Sequence, residues 1–402
     1  MPDPKGGGSY GPGAILGLIR GGQAVTRAQI MEATGLSRST VAQRLELLLA
    51  AKLISAAGAE NSTGGRPPGA FQINPDAGVV LIAAIGAASM QIALADMQGR
   101  VLAHDETEMA VAQGPERVLG EVARRFEDLL HETRHTSMEV KGIGIGVPGP
   151  VEFAQGRVVR PPIMTGWDNY RVPDFFADRY ACPVVVDKDV NLMTLGEHRA
   201  AWPEVQHLLF VKVSTGIGSS IIMDGVLQRG AQGAAGDLGH LYVGNMQPGE
   251  PPLCRCGNYG CLEAYAAGWA ICRRLGERHH RVESVRDVVA LLNRGEADAL
   301  EEMRRAGRLI GETIAMAVSL LNPSLVILGG DLALGQSHML AAVRETVYRR
   351  SLPLATRNVQ IINSTLGREA SLIGAVQLVS DALFAPSAVD RLVGVSTEVS
   401  RD

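Results

Sequence analysis

The chain has 402 residues, long enough for two or three domains with sizeable cores. Hydrophobic residues at 46% and charged residues at 20%, with a mean hydropathy of +0.09, describe an ordinary soluble protein. No run of eighteen apolar residues occurs and the N-terminus lacks a signal-peptide core, so no membrane contact is expected. The net charge of −4 is uneven: residues 1–75 hold seven Lys/Arg against four acids, a net +3, which leaves −7 on the remainder. A basic head on an acidic body points to a polyanionic partner for the head.

Residues 1–13 are rich in Gly and Pro and are expected to be a disordered tail. Helical periodicity begins at Ala14. Thr26 is a suitable N-cap for a short helix over 27–33, and Gly35 centres the turn that follows. Ser37 then caps a longer helix over 38–50, with Val41, Leu45 and Leu48 on one inward stripe. Helix, glycine turn and capped second helix make a helix-turn-helix. On its second helix Arg38, Ser39, Thr40, Gln43 and Arg44 are the candidate DNA contacts. Alternation at 70–73, after the Gly-Gly-Arg66-Pro-Pro stretch, implies a two-stranded wing whose tip carries Arg66 toward a phosphate or a minor groove. The plainer alternative is a three-helix interaction domain with a polar loop.

Asn74-Pro75-Asp76 marks the boundary of this 14–75 winged helix-turn-helix domain. Beyond it one plan occurs twice. Strands over 79–85 and 90–95 flank a turn, and strands over 207–213 and 219–223 flank Ser214-Thr-Gly-Ile-Gly218. Such a repeat predicts a duplicated, two-lobed α/β body with a ligand cleft between the halves. The expected boundaries are 76–200 for lobe 1, with part of the C-terminal segment, 201–384 for lobe 2, and a disordered tail over 385–402.

Cys254, Cys256 and Cys261 fall within eight residues, and His240 stands fourteen positions before the first of them. Three thiolates and an imidazole are the donors of a tetrahedral Zn2+ site, and with all four positions filled by protein the ion is structural. Reduced buried thiols, or one disulfide with a spare cysteine, are the alternatives. Few cysteines beyond this cluster imply a reducing compartment, hence a cytoplasmic location.

Gly236-Asp-Leu-Gly-His240 followed by Cys254-Arg-Cys-Gly-Asn-Tyr-Gly-Cys261-Leu-Glu263 resembles the signature of the ROK family (repressors, open reading frames and sugar kinases). The stretch from Thr26 to Val41 and the Gly-Arg66-Pro wing resemble the DNA-binding head of that family's repressors. The resemblance implies an actin-like (ribonuclease H-like) sugar-kinase fold behind a winged helix. It implies that His240 both ligates zinc and touches a sugar hydroxyl, and that Asp237 and Glu263 also bind the sugar. Asp237 stands where the family usually has Glu. Asp189 matches the family's catalytic aspartate, and Lys188 replaces a sugar-contacting Asn. Lys188 then either pairs with Asp187 or Asp189, or meets a phosphorylated or acidic sugar.

Family kinases carry Asp-x-Gly-Gly-Thr-Lys in the first phosphate loop, where this chain has Ala84, Gly86, Ala87, Ala88 and Ser89. The lost acid, glycine, hydroxyl and lysine argue against phosphoryl transfer. The expectation is a non-enzymatic, sugar-responsive repressor that binds operator DNA as a homodimer or homotetramer. The alternative is a bifunctional ATP-dependent sugar kinase with a DNA-binding head, in which Asp189 would be catalytic.

Overall fold

The computed structural model describes residues 10–57, 69–278, 282–334 and 337–394. Helix α1 (Pro12–Arg20) starts on a proline, whose missing N–H costs nothing in the first turn. The expected tail over 1–13 is therefore corrected for residues 10–13. The amide of Gly13 donates to the Asp390 carboxylate at 2.8 Å, and Ile15 and Leu16 are fully buried. In α2 (Arg27–Thr34), Thr26 and Gln29 form a reciprocal capping box, and Gly35 closes the helix at φ 68°. Ser37 caps α3 (Arg38–Ala50) through the amide of Thr40, and Val41, Leu45 and Leu48 are fully buried. Strands β1 (Ile54–Ala56) and β2 (Phe71–Ile73) pair antiparallel as the wing. Its tip, with Arg66, lies outside the described residues.

Lobe 1 continues with β3 (Val79–Ile85), β4 (Ser89–Asp96), β5 (Val101–Glu108), α4 (Pro115–Glu132) and β6 (Val140–Val147). A short β7 (Val151–Glu152) and β8 (Arg157–Val158) hairpin, α5 (Val172–Phe176), β9 (Val184–Lys188) and α6 (Asp189–Ala200) follow. The five-stranded sheet has the order β5-β4-β3-β6-β9, antiparallel across the first three strands and parallel across the last three. Lobe 2 repeats it. Strands β10 (Leu208–Val213), β11 (Ile217–Met223), β12 (Val226–Gln228), β13 (Leu325–Gly329) and β14 (Gln360–Asn363) run in the order β12-β11-β10-β13-β14 with the same senses. Helices α7 (Leu262–Ala266), α8 (Gly268–Gly276), α9 (Val285–Asn293), α10 (Ala297–Leu321), α11 (Ser337–Arg350) and α12 (Pro353–Thr356) accompany the second sheet.

Two helices join the parts. Helix α13 (Glu369–Leu383) lies on the lobe 1 sheet and is the part of the C-terminal segment that packs with lobe 1. Glycines 142, 144 and 146 of β6 make room for it and for α6: a Cβ at Gly142 would stand 2.6 Å from Val379, and one at Gly146 2.4 Å from Leu192. Helix α6 buries Val190 and Met193 against Phe210 and Ile222 of lobe 2. The two helices cross backbone to backbone, where a Cβ on Gly374 would meet the Leu192 carbonyl at 1.7 Å. The chain closes with α14 (Pro386–Leu392), which packs on α1 and corrects the disordered tail expected over 385–402 for residues 385–394. Core residues of the head, of β3 and of α13 form one apolar cluster. No single helix among the described residues is long and apolar enough to cross a membrane.

Candidate metal centre and inter-lobe cleft

His240 ends a short 3-10 turn after β12, and Cys254 and Cys256 lie on the loop that returns to Cys261, the N-cap of α7. The loop is held by Cys254 N donating to the Asn258 carbonyl at 2.8 Å, and turns through Gly257 and Gly260 at φ 92° and 76°. One donor atom from each of His240, Cys254, Cys256 and Cys261 lies within 4.8 Å of the other three. The Cys254 sulfur stands 3.7 Å from His240 Nδ1, and the Cys256 and Cys261 sulfurs 3.7 Å apart. Sulfurs bound at 2.3 Å to a tetrahedral centre would be about 3.8 Å apart, so the donor set fits such an ion. Burial pushes the Cys254 thiol up to about 11 and raises that of Cys261 as well. A cation at the centre would supply the charge that stabilises the thiolates. All five cysteines are free, which removes the disulfide alternative.

The cleft floor is built where β9 runs into α6. Asp187 is buried and accepts from Asn191 Nδ2 at 2.6 Å and Arg229 Nε at 2.8 Å. Arg229 also stacks over the Phe153 ring, tying the end of β12 to lobe 1. Asp189 opens α6 and forms an ion pair with Lys212 of β10. The expected pairing of Lys188 with Asp187 or Asp189 is corrected. Its ammonium donates to the Ala235 carbonyl at 2.8 Å instead, reaching the loop that leads to Asp237 and His240. Burial drives the Lys188 pKa below the usual lysine range. Asp237 is exposed on that loop.

Glu263 is buried and faces the second-lobe loop. Its Oε2 accepts from Ile217 N at 2.9 Å, and a Cβ on Gly216 would lie 2.7 Å from the same oxygen. That contact braces the 214–218 turn from the metal side. At the mouth of the turn, Ser214 Oγ donates to Asp331 at 2.8 Å. Arg368 pairs with Asp331 at 3.2 Å and with Glu106 of β5 at 3.0 Å, while Arg286 pairs with Glu108. These ion pairs span lobe 1 and lobe 2 beside the eroded first loop at residues 84–89.

On the head, Arg38, Ser39 and Gln43 are exposed and Thr40 and Arg44 are half-buried. The Ser39 and Thr40 hydroxyls contact Ser37 Oγ at 2.9 and 2.8 Å, so both belong to the cap network as well as to the outer face. The sequence reading missed Lys212, Arg229 and Glu197. Lys212 left a signal, a single charge in an otherwise apolar strand. Glu197, fully buried, accepts from Thr365 Oγ1 at 2.7 Å and Leu366 N at 2.9 Å, anchoring α6 to lobe 2. Nothing in its local pattern announces that role.

A winged helix-turn-helix fused to a duplicated, two-lobed sugar-kinase-type body, with a Cys3His cluster beside the cleft, defines the class. The chain belongs to the ROK family, whose model matches residues 81–382. It is 29% identical over 390 residues to a putative xylose repressor of Caldicellulosiruptor sp. (strain Rt8B.4), covering 93% of this chain and 96% of that one. Among solved structures it resembles a ROK family transcriptional regulator described as a homologue of the E. coli MLC protein, with a TM-score of 0.79, 24% identity and coverage of 95% and 98%. A ROK hexokinase from Thermus thermophilus matches with a TM-score of 0.61 and 30% identity, over 76% of this chain and 98% of that one.

Proposed function

We propose that the protein is a sugar-responsive transcriptional repressor whose head binds operator DNA and whose cleft binds a monosaccharide or sugar phosphate without phosphorylating it. The observation that carries this reading is the continuity of structure from cleft to head. Asp189 begins α6, α6 crosses α13 at Gly196 and Gly374, and the last turn of α13 carries Asp381, which pairs with Arg20 of α1 at 2.8 Å. A ligand that favours one closure of the lobes moves these helices, and they carry the head. Relatives named as repressors support the reading, since one matches the chain over nearly its whole length, head included.

Asp189, Asp237, His240, Glu263 and Lys188 are the proposed sugar contacts, and Arg38, Ser39, Thr40, Gln43, Arg44 and Arg66 the proposed DNA contacts. Zn2+ is the proposed ion of the Cys3His cluster; it holds the loop on which His240 and Glu263 reach the sugar. Catalysis is left out of the proposal because the first loop has Ala84 and Ser89 where family kinases carry an acid and a lysine. A homodimer or homotetramer would present two heads to half-sites about 34 Å apart or a multiple of that.

The test is operator binding at fixed salt with and without a panel of plain and phosphorylated monosaccharides, with an ATP-coupled kinase assay alongside. A ligand that shifts operator affinity, with no turnover, supports the reading. Turnover abolished by Asp189→Ala establishes the bifunctional kinase instead.

A further inference from the structure

A cavity of about 290 Å³ lies where the head meets lobe 1, away from the metal and the cleft. The head contributes Arg20 of α1 and Ile73 of β2; the body contributes Met97 and Gln98 of the β4–β5 turn, Arg199 of α6 and Val376 of α13. No acidic residue lines it. Arg20 is already paired with Asp381 at 2.8 Å. Arg199, in the last turn of α6, has no hydrogen-bond or ion-pair partner among the described residues. The nearby Asp96 carboxylate is fully occupied by the amides of Gln98 and Arg100 and by the Arg100 guanidinium. The lining thus keeps one unpaired guanidinium, exposed on the last turn of α6, in a mixed wall of Ile73, Met97 and Val376 with Gln98, Gln377 and Ser380.

We propose that this joint is a second ligand site, for a small phosphorylated organic molecule. A guanidinium presents a planar fork of donors that matches phosphate oxygens two at a time, which an apolar or neutral polyol ligand would leave unused. The volume suits a body of monosaccharide size, and the carboxamides of Gln98 and Gln377 beside Ile73, Met97 and Val376 offer that body both polar and apolar contacts. Gln98 Nε2 already donates to the Ile73 carbonyl at 2.8 Å, so the cavity sits on an existing link between body and wing. A molecule bound here touches α1, β2, α6 and α13 together. It therefore reports on the head–body seam directly, whereas the cleft ligand acts through the far end of α6, roughly 15 Å away.

The inference goes beyond the cleft reading and is tested without DNA. Binding of glucose 6-phosphate, inorganic phosphate and glucose to the full chain is measured by calorimetry for wild type, Arg199→Glu, Arg199→Lys, the cleft variant Asp237→Asn and the double variant Asp237→Asn/Arg199→Glu. The expected result is that glucose 6-phosphate binds wild type more tightly than inorganic phosphate does. Arg199→Glu should weaken it at least tenfold, Arg199→Lys should weaken it less, and Asp237→Asn should leave this event in place. Circular dichroism melts of Arg199→Glu confirm that a loss is not unfolding. The proposal is overturned if glucose 6-phosphate does not bind wild type at millimolar concentration. It is equally overturned if the binding that Asp237→Asn leaves in place survives in the double variant Asp237→Asn/Arg199→Glu, if Asp237→Asn alone removes all binding, or if inorganic phosphate binds as tightly. Failure of the cleft reading would instead show as no effect of any sugar on operator affinity, which these measurements do not involve.

Discussion

Single residues decide whether the metal loop and the cleft act together. Glu263 touches the 214–218 turn while standing two positions after the metal-ligand candidate Cys261, so the loop's geometry reaches the cleft through one carboxylate. Cys256→Ser leaves three donors for the ion. The expected outcome is loss of bound zinc, read by metal analysis of the purified protein, together with loss of the sugar effect on operator binding; a variant that keeps its sugar response refutes the link. The pH dependence of lobe 1 is set partly by Glu121. The Arg124 guanidinium hydrogen-bonded to it, opposed by burial and helped by Arg125, lowers its pKa from 4.5 to about 2. A carboxyl depressed on folding stabilises the protein above its unfolded pKa and loses that contribution as pH falls through the folded value. Glu121→Gln should therefore melt earlier than wild type at neutral pH, and the gap should close between pH 4.5 and 2 in thermal melts.

Elements explain why the head and the body are one mechanical object. The short α14 would have no fold of its own, yet its buried Asp390 accepts the Gly13 amide of α1 and its Val389 joins the shared apolar cluster. Asp390→Ala leaves that amide without its partner at a buried site. A loss of about 1–3 kcal/mol in head docking is expected, seen as faster hydrogen exchange in α1 while the body strands keep their protection. The α6–α13 crossing tolerates no side chain at its centre. Gly374→Ala places a methyl against the Leu192 carbonyl and should lower stability by about 1–3 kcal/mol or more, because both neighbours are backbone. Denaturant midpoints for Gly374→Ala against Gly120→Ala in α4, where an added Cβ meets nothing within 4 Å, separate this clash from general glycine loss.

At the scale of the whole molecule, the duplicated sheets make a cleft whose angle is set by contacts on both sides of α6. Arg229, Asp187 and Lys188 join the lobes on one side, and Arg368 with Glu106 and Asp331 on the other. On the proposed function, sugar and operator choose between the same closures, with an expected coupling of about 1–3 kcal/mol, or about 5–150-fold in operator affinity. Gel-shift titrations at one salt concentration measure it, since salt by itself moves the affinity by orders of magnitude. Much of this was legible in the linear chain. Capping residues and the glycine turn write the helix-turn-helix locally, the repeated strand-turn-strand writes the two lobes, and thiol spacing writes the candidate metal cluster. All of these are short-range, carried by neighbours within a few residues of each other. Long-range pairing decided the rest: Lys188 going to Ala235 rather than to an adjacent acid, Glu197 anchoring α6 to lobe 2, and residues 10–13 packing with residues 385–394. Those outcomes depend on which apolar faces meet once the sheets have formed, and burial between segments hundreds of residues apart has no local pattern to announce it.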